Sequence, residues 1–120
     1  MSKKILVVDD SATIRQQLNM TLAKDGFAVV EAGDGVEGLA ALAKNADVAL
    51  IISDVNMPNM NGIDFLQKLK EQGAKAPVVM LTTEGAAELI EKAKGLGAKG
   101  WLVKPFKPDQ LVAVAKKLAA

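Results

Sequence analysis

Short apolar runs rich in β-branched residues alternate along this chain with stretches that have the period of an amphipathic helix. The runs occupy residues 5–8, 27–30, 48–52, 78–81 and 101–103 of the 120-residue chain. This alternation is typical of βαβ units, in which parallel strands form one sheet and the connecting helices pack on it. The sequence therefore predicts five strands, each followed by a helix.

The stretches between and after these runs carry apolar residues three and four positions apart, as on one face of a helix. In chain order, the apolar sets are Ile14, Leu18 and Leu22; Val36, Leu39, Ala40 and Ala43; Phe65, Leu66 and Leu69; Ala86, Leu89, Ile90 and Ala93; and Leu111, Val114, Ala115 and Leu118. Ser11 is a candidate cap for the first helix, and Pro108 fits the first turn of the last helix. The pairs Asp25-Gly26 and Asp34-Gly35 indicate turns.

The third run is apolar throughout, which indicates a strand that is buried on both faces of its sheet. Right-handed crossovers with helices on both faces favour a doubly wound (βα)5 fold of the α/β class, and five parallel strands suit the order 2-1-3-4-5. In that order the chain reverses direction between the first and third strands, and ligands bind outside the carboxyl ends at such a point. A site is therefore predicted just after Val8 and just after Ile52.

The amino-acid composition excludes several kinds of chemistry. The chain has no Cys, His or Tyr, which excludes disulfides, thiolate or imidazole metal ligands, and Ser-His or Cys-His catalysis. Its 15 Lys and Arg residues nearly balance 14 Asp and Glu residues, so nucleic-acid binding is not expected. The 48–52 run is far shorter than the ~20 apolar residues that cross a bilayer, and the N-terminus lacks a signal-peptide core. We expect a cytoplasmic protein that does not insert into a membrane.

Carboxylates follow both strands at the predicted reversal point. Asp9 and Asp10 come after the first strand, and Asp54 comes after the third. Like charges that meet at one crevice repel each other, and a bound cation is a usual remedy. Because imidazole and thiolate are absent, oxygen ligands favour a hard ion such as Mg²⁺, or Mn²⁺.

Two further strand ends add a hydroxyl, from Thr82, and an ammonium, from Lys104. Carboxylates for a metal, a hydroxyl donor and a cation are together typical of phosphoryl transfer, where catalysis is mostly positioning and charge neutralisation. Only a carboxylate can supply the nucleophile in this set, and its product would be an aspartyl phosphate.

Four segments resemble the receiver domain of two-component response regulators: ILVVDDS at 5–11, SDVNMPNMNG at 53–62, LT at 81–82 and GAKGWLVKPF at 97–106. The resemblance covers the whole chain and implies a single receiver domain over residues 1–120 without an output domain. Within that family the chain is similar to the stand-alone chemotaxis regulators, which bind the flagellar motor switch.

The resemblance implies roles for the polar residues at the strand ends. Asp54 would accept a phosphoryl group from a histidine kinase or a small acyl phosphate, Thr82 would hydrogen-bond that group, and Lys104 would pair with it. The transfer to Asp54 and the later dephosphorylation would be self-catalysed rather than the work of a conventional enzyme. The peptide bond between Lys104 and Pro105 is expected to be cis.

The resemblance also implies a ligand set for Mg²⁺ and a switching residue. The direct metal ligands would be Asp10, Asp54 and the backbone carbonyl of Asn56, with Asp9 acting mainly through a metal-bound water. Trp101 stands where an aromatic side chain of the fifth strand turns inward on activation. The helix after the fourth strand, the fifth strand and the last helix would form the partner surface.

Three neighbours of this site depart from, or vary within, the family pattern. Thr83 replaces the Ala or Gly that usually follows the hydroxyl residue, and we expect it to narrow access for the phosphodonor. Glu84 and Asn56 occupy places that tune hydrolysis of the acyl phosphate.

The implied partners are a histidine kinase, a downstream target such as a flagellar motor switch protein, and a phosphatase, with the chain itself a monomer. A phosphate shuttle or sink in a phosphorelay would use the same residues and stays open as an alternative. An aspartate-dependent phosphohydrolase fits less well, because its two Asp residues lie two positions apart after the first strand. A flavodoxin-like carrier also fits less well, because the loop at 9–13 sets two acidic residues and no glycine against a phosphate.

Overall fold

The computed structural model of the chain describes residues 3–55, 57, 60–82 and 87–119. In chain order, the elements are β1 Lys4–Val8, α1 Ala12–Lys24, β2 Ala28–Ala32, α2 Gly35–Lys44, β3 Val48–Asp54, α3 Gly62–Glu71, β4 Val78–Thr82, α4 Ala87–Gly95, β5 Gly100–Val103 and α5 Pro108–Leu118. The five predicted strands and five predicted helices are thus confirmed. None of the described helices is both long and apolar enough to span a membrane.

The five strands form one parallel sheet in the order β2-β1-β3-β4-β5. This is the predicted doubly wound order, and its reversal point lies between β1 and β3. Val8 pairs in register with Ser53, and Asp54 pairs with Leu81. The carboxyl ends of β1, β3 and β4 therefore meet at one edge of the sheet.

Both faces of the sheet are covered by helices. Helices α1 and α5 pack on one face through Leu18, Leu22 and Leu111, together with the side chains of Ile5, Leu50 and Ile52. On the other face, α2, α3 and α4 pack against Leu6, Ile51 and Met80. Because the central strands face a helical layer on each side, their apolar residues stand at consecutive positions rather than at alternate ones.

The predicted apolar face of α2 is wrong, apart from Leu39. Val36 is 53% exposed, and Ala40 and Ala43 are exposed too. The residues that face the core are Gly35, Gly38, Leu39 and Leu42. A Cβ on Gly38 would lie 3.0 Å from the ring of Phe65. The helix thus packs closely against α3 through Gly38. Because glycine is not counted as apolar in the periodicity, the pattern could not predict this inner face.

The N-termini of α1 and α5 agree with the residues predicted there, whereas that of α2 requires a correction. The Ser11 hydroxyl accepts a hydrogen bond of 3.3 Å from the backbone N–H of Ile14, so Ser11 caps α1 as predicted. Pro108 is the first residue of α5. Asp34, which was expected in a turn, instead caps α2 by accepting from the N–H of Glu37 at 2.8 Å.

Candidate functional site

Three carboxylates converge where β1 and β3 end. Oxygens of Asp9, Asp10 and Asp54 lie within 4.8 Å of one another. Asp9 is fully buried, Asp54 is 6% exposed, and Asp10 is exposed at the mouth of the crevice. The structure therefore brings together the three acidic residues that the sequence predicts at this edge of the sheet. Their mutual repulsion must be balanced by nearby positive charge.

Lys104, which follows β5, supplies part of that balance. Its Nζ lies 3.0 Å from Oδ2 of Asp9 and 3.2 Å from Oδ2 of Asp54. Partial burial on its own would lower the pKa of Lys104, but the polar contact with Asp9 and the charges of both carboxylates outweigh it, so the pKa of Lys104 is raised. The lysine is thus cationic at neutral pH. One ammonium still leaves the three carboxylates with excess negative charge.

This donor set fits a divalent cation. It consists of carboxylate oxygens, which hard ions such as Mg²⁺ prefer. The buried Oδ2 of Asp9 accepts no well-aligned hydrogen bond from the described part of the chain, although the ammonium of Lys104 lies close to it. An additional cation at the crevice would compensate the remaining negative charge of the three carboxylates. The carbonyl of Asn56 lies outside the described residues.

Thr82 ends β4 beside this cluster. Its carbonyl accepts a hydrogen bond of 2.6 Å from the backbone N–H of Lys104, which joins the ends of β4 and β5. The residue is 2% exposed, and within the described ranges its hydroxyl has no hydrogen-bond partner. A buried hydroxyl left without a partner costs about 1–3 kcal/mol. Such a group is suited to an acceptor that arrives with a ligand or a modification.

The start of α3 depends on Gly62, a residue that sequence reasoning did not single out. The N–H of Gly62 donates to the carbonyl of Val55 at 2.7 Å. A Cβ on Gly62 would overlap the carbonyl oxygen of Asp54. The adjacent Asn61, whose side chain caps α3 through the N–H of Asp64 at 2.9 Å, is the sequence signal that marks this helix start. Gly62 therefore lets α3 begin directly against the backbone of Asp54.

Two of the remaining predicted positions, Trp101 and Pro105, lie on β5 and just after it. The Lys104-Pro105 peptide bond is cis, as the resemblance implies. Trp101 on β5 is 39% exposed, and the ammonium of Lys94 on α4 lies 4.5 Å from its ring centroid. Thr83 and Glu84 lie outside the described residues.

Comparisons with known proteins agree with this architecture. Residues 5–116 match the family model of the response regulator receiver domain. The chain is 41% identical over 111 residues to the chemotaxis protein CheY1 of Helicobacter pylori, and this alignment covers 90% of each chain. It is 31% identical over 121 residues to the chemotaxis protein CheY of Thermotoga maritima, covering 99% of each.

Solved structures show the same likeness. The chemotaxis protein CheY4 of Vibrio cholerae superposes with a TM-score of 0.91 at 43% identity, over 98% of this chain and 99% of that one. A receiver domain protein from Clostridium thermocellum gives a TM-score of 0.91 at 31% identity, over 98% and 94%. The family model matches residues 5–116, which is almost the whole chain. The chain therefore belongs to the response regulator receiver domain family.

Proposed function

We propose that this protein is a phosphorylation-activated response regulator of a chemotaxis-type two-component system, and that Asp54 is its phosphoacceptor. The observation that carries the proposal is the convergence of Asp9, Asp10 and Asp54 at one edge of the sheet, where the ammonium of Lys104 contacts two of the three carboxylates. The chemotaxis regulators among its relatives support the class of signalling pathway.

In the proposed reaction, a carboxylate oxygen of Asp54 attacks the phosphorus of a histidine kinase's phosphohistidine. The new O–P bond forms as the N–P bond breaks, and the imidazole leaves with the electron pair and takes up a proton. A small acyl phosphate would serve in the same way, with its carboxylate as the leaving group. The buried position of Asp54 keeps the nucleophile among fixed charges, where electrostatic interactions are stronger than in water.

Residues around Asp54 would hold the metal and neutralise the phosphoryl group. Asp10 and Asp54, with the carbonyl of Asn56, would hold Mg²⁺ or Mn²⁺ directly, and Asp9 would act through a water. When bound, the ion neutralises charge that develops on the transferring group. Lys104 already contacts the Asp54 carboxylate, so its ammonium is within reach of a phosphoryl oxygen on that side chain.

The signal would arise from the hydroxyl of Thr82. A phosphoryl group adds about −1.5 to −2 charge and three acceptor oxygens. The buried hydroxyl of Thr82, which has no partner among the described residues, could donate a hydrogen bond to one of these oxygens. Movement of Thr82 would then be passed to Trp101 and the α4, β5 and α5 surface, where a downstream target such as a motor switch protein would bind. Thr83 would narrow the donor's path, and Glu84 would tune the lifetime of the acyl phosphate.

The test uses Trp101, the single tryptophan of the chain, as a reporter. Mg²⁺ followed by a small acyl phosphate should change its fluorescence, and Asp54→Asn should abolish the response to the acyl phosphate. Asp64→Asn is the matched control, because Asp64 is an exposed aspartate on α3. A response that persists in Asp54→Asn would contradict the assignment of the phosphoacceptor.

A second experiment separates an effector from a phosphate shuttle. The phosphorylated protein is used to capture partners from an extract, with the unphosphorylated protein as the control. An effector should retain its target much more tightly when it is phosphorylated. Capture of kinases and phosphotransfer proteins alone would contradict the effector role in favour of the shuttle.

A further inference from the structure

The side chain of Arg15 on α1 reaches back to the end of β1. Its Nη1 donates a hydrogen bond of 2.6 Å to the main-chain carbonyl of Asp9. The carbonyl of Asp9 belongs to the same planar peptide unit as the N–H of Asp10. A donor fixed on this oxygen therefore restrains the peptide plane from which the Asp10 side chain departs.

The guanidinium of Arg15 is itself held in place by β2. Its Nε donates to Oε1 of Glu31 at 3.3 Å, and Nδ2 of Asn19 donates to the other oxygen of the same carboxylate at 2.9 Å. The Arg15 side chain is 21% exposed and that of Glu31 is 39% exposed. A guanidinium presents several donors in one rigid plane, so it can serve a carboxylate and a carbonyl at once.

Other contacts fix the rest of Asp9. Its backbone N–H donates to the carbonyl of Ala32 at 3.1 Å, and its Oδ1 accepts from the N–H of Ser11 at 2.9 Å. The backbone N–H, the carbonyl and one carboxylate oxygen of Asp9 are thus each engaged by a different residue. Asp10 is exposed, so the placement of its carboxylate depends on the peptide that precedes it.

We propose that Arg15 is a positioning residue of the cation site, which it serves by holding the Asp9–Asp10 peptide so that the Asp10 carboxylate meets those of Asp9 and Asp54. Glu31 and Asn19 keep the guanidinium on the carbonyl. The inference rests on the proposed function, because it requires that the three carboxylates bind a divalent cation.

A role of Arg15 as a nearby charge alone leads to the opposite expectation. A cationic side chain beside a cation site repels the incoming ion, so its neutralisation would tighten binding. A positioning role predicts weaker binding on the same substitution. The sign of the change therefore separates the two roles.

The experiment measures the Mg²⁺ dissociation constant of the full chain by titration calorimetry. Arg15→Met should weaken binding roughly tenfold, the low end of the effect of losing a group that orients a metal ligand. Arg15→Lys, which keeps the charge and one donor, should give an intermediate constant. Lys68→Met is the matched control, since it removes another helix cation, one that contacts Glu71 at 3.8 Å, and should leave Mg²⁺ binding unchanged.

Thermal unfolding separates positioning from a loss of stability. Arg15→Met should reduce the rise in melting temperature that Mg²⁺ causes, whereas a purely structural defect would lower the metal-free and metal-bound melting temperatures equally. If Arg15→Met does not fold, Glu31→Gln is measured instead and should weaken Mg²⁺ binding in the same direction by a smaller factor.

The possible failures can be told apart. Unchanged or tighter Mg²⁺ binding by Arg15→Met, or by Glu31→Gln in its place, would overturn the positioning role while the wild-type protein still binds the ion. Absence of Mg²⁺ binding by the wild type would instead contradict the proposed function.

Discussion

At the scale of single residues, the ammonium of Lys104 is central because it contacts two buried carboxylates. Asp9 and Asp54 each have an oxygen within 3.2 Å of its Nζ. A buried carboxylate that loses its cationic partner is strongly destabilised, since its charge is then uncompensated. The same position also makes Lys104 the group that would meet a phosphoryl oxygen on Asp54.

We predict that Lys104→Met lowers the free energy of unfolding in the absence of metal by about 1–3 kcal/mol, less than for a fully buried pair because the lysine side chain is 18% exposed. Saturating Mg²⁺ should recover more stability in this variant than in the wild type, because the ion replaces the missing cation. Urea unfolding with and without Mg²⁺ measures both effects. Equal stabilisation of the two proteins by Mg²⁺ would contradict the shared use of these carboxylates.

Gly62 gives a second prediction at this scale. Because a Cβ would overlap the Asp54 carbonyl oxygen, Gly62→Ala should cost about 1–3 kcal/mol through forced backbone movement and should slow phosphorylation of Asp54. Gly95→Ala is the control, because a Cβ there has no neighbour within 4 Å and alanine favours the helix. Chemical unfolding and the rate of phosphorylation are compared in the two variants. Equal effects of the two substitutions would contradict the close approach of Gly62.

The polar residues of the site could be predicted from the sequence, whereas the residues that hold them in position could not. Asp9, Asp54 and Lys104 lie at the carboxyl ends of apolar strands, so the strand order alone brings them to one edge. Arg15 donates to the backbone carbonyl of Asp9. The sequence pattern does not predict which carbonyl a long side chain reaches. Gly62 is recognisable only once the path of the backbone beside it is known.

At the scale of elements, α2 shows why hydrophobic periodicity can mislead. The pattern assigned Val36 and two alanines to the inner face, but the helix approaches α3 through Gly38 instead. A small residue on the inner face lets two helices come close, and the remaining larger apolar residues then fall partly on the outside. The central strands β1, β3 and β4 gave no such difficulty, because both of their faces are buried.

Gly38→Ala tests this packing. Alanine raises helix propensity by about 1 kcal/mol, but its Cβ would lie 3.0 Å from the Phe65 ring and 3.2 Å from a methyl group of Val8. Both neighbours are buried in the core, so we expect a net loss of stability of about 1 kcal/mol. The measurement is the free energy of unfolding, with Gly95→Ala again as the reference. A stabilised Gly38→Ala protein would contradict the close contact between α2 and α3.

At the scale of the whole molecule, the doubly wound order explains why the candidate site stands where it does. Residues that are 45 positions apart, such as Asp9 and Asp54, meet because β1 and β3 are neighbours on either side of the reversal point. The alternation of strands and helices can be read from the hydrophobic pattern of the sequence, so the strand order and the position of the site could be predicted. The outward position of Trp101 under the ammonium of Lys94 could not, because it depends on how α4 packs beside β5.

The most direct test of the account is mass spectrometry that locates the phosphoryl group. After incubation with Mg²⁺ and a small acyl phosphate, the intact protein should gain one phosphoryl group, and peptide fragments should place it on Asp54. Omission of Mg²⁺ or the substitution Asp54→Asn should prevent the gain. A phosphoryl group found on another residue, or one that still forms in Asp54→Asn, would contradict the account.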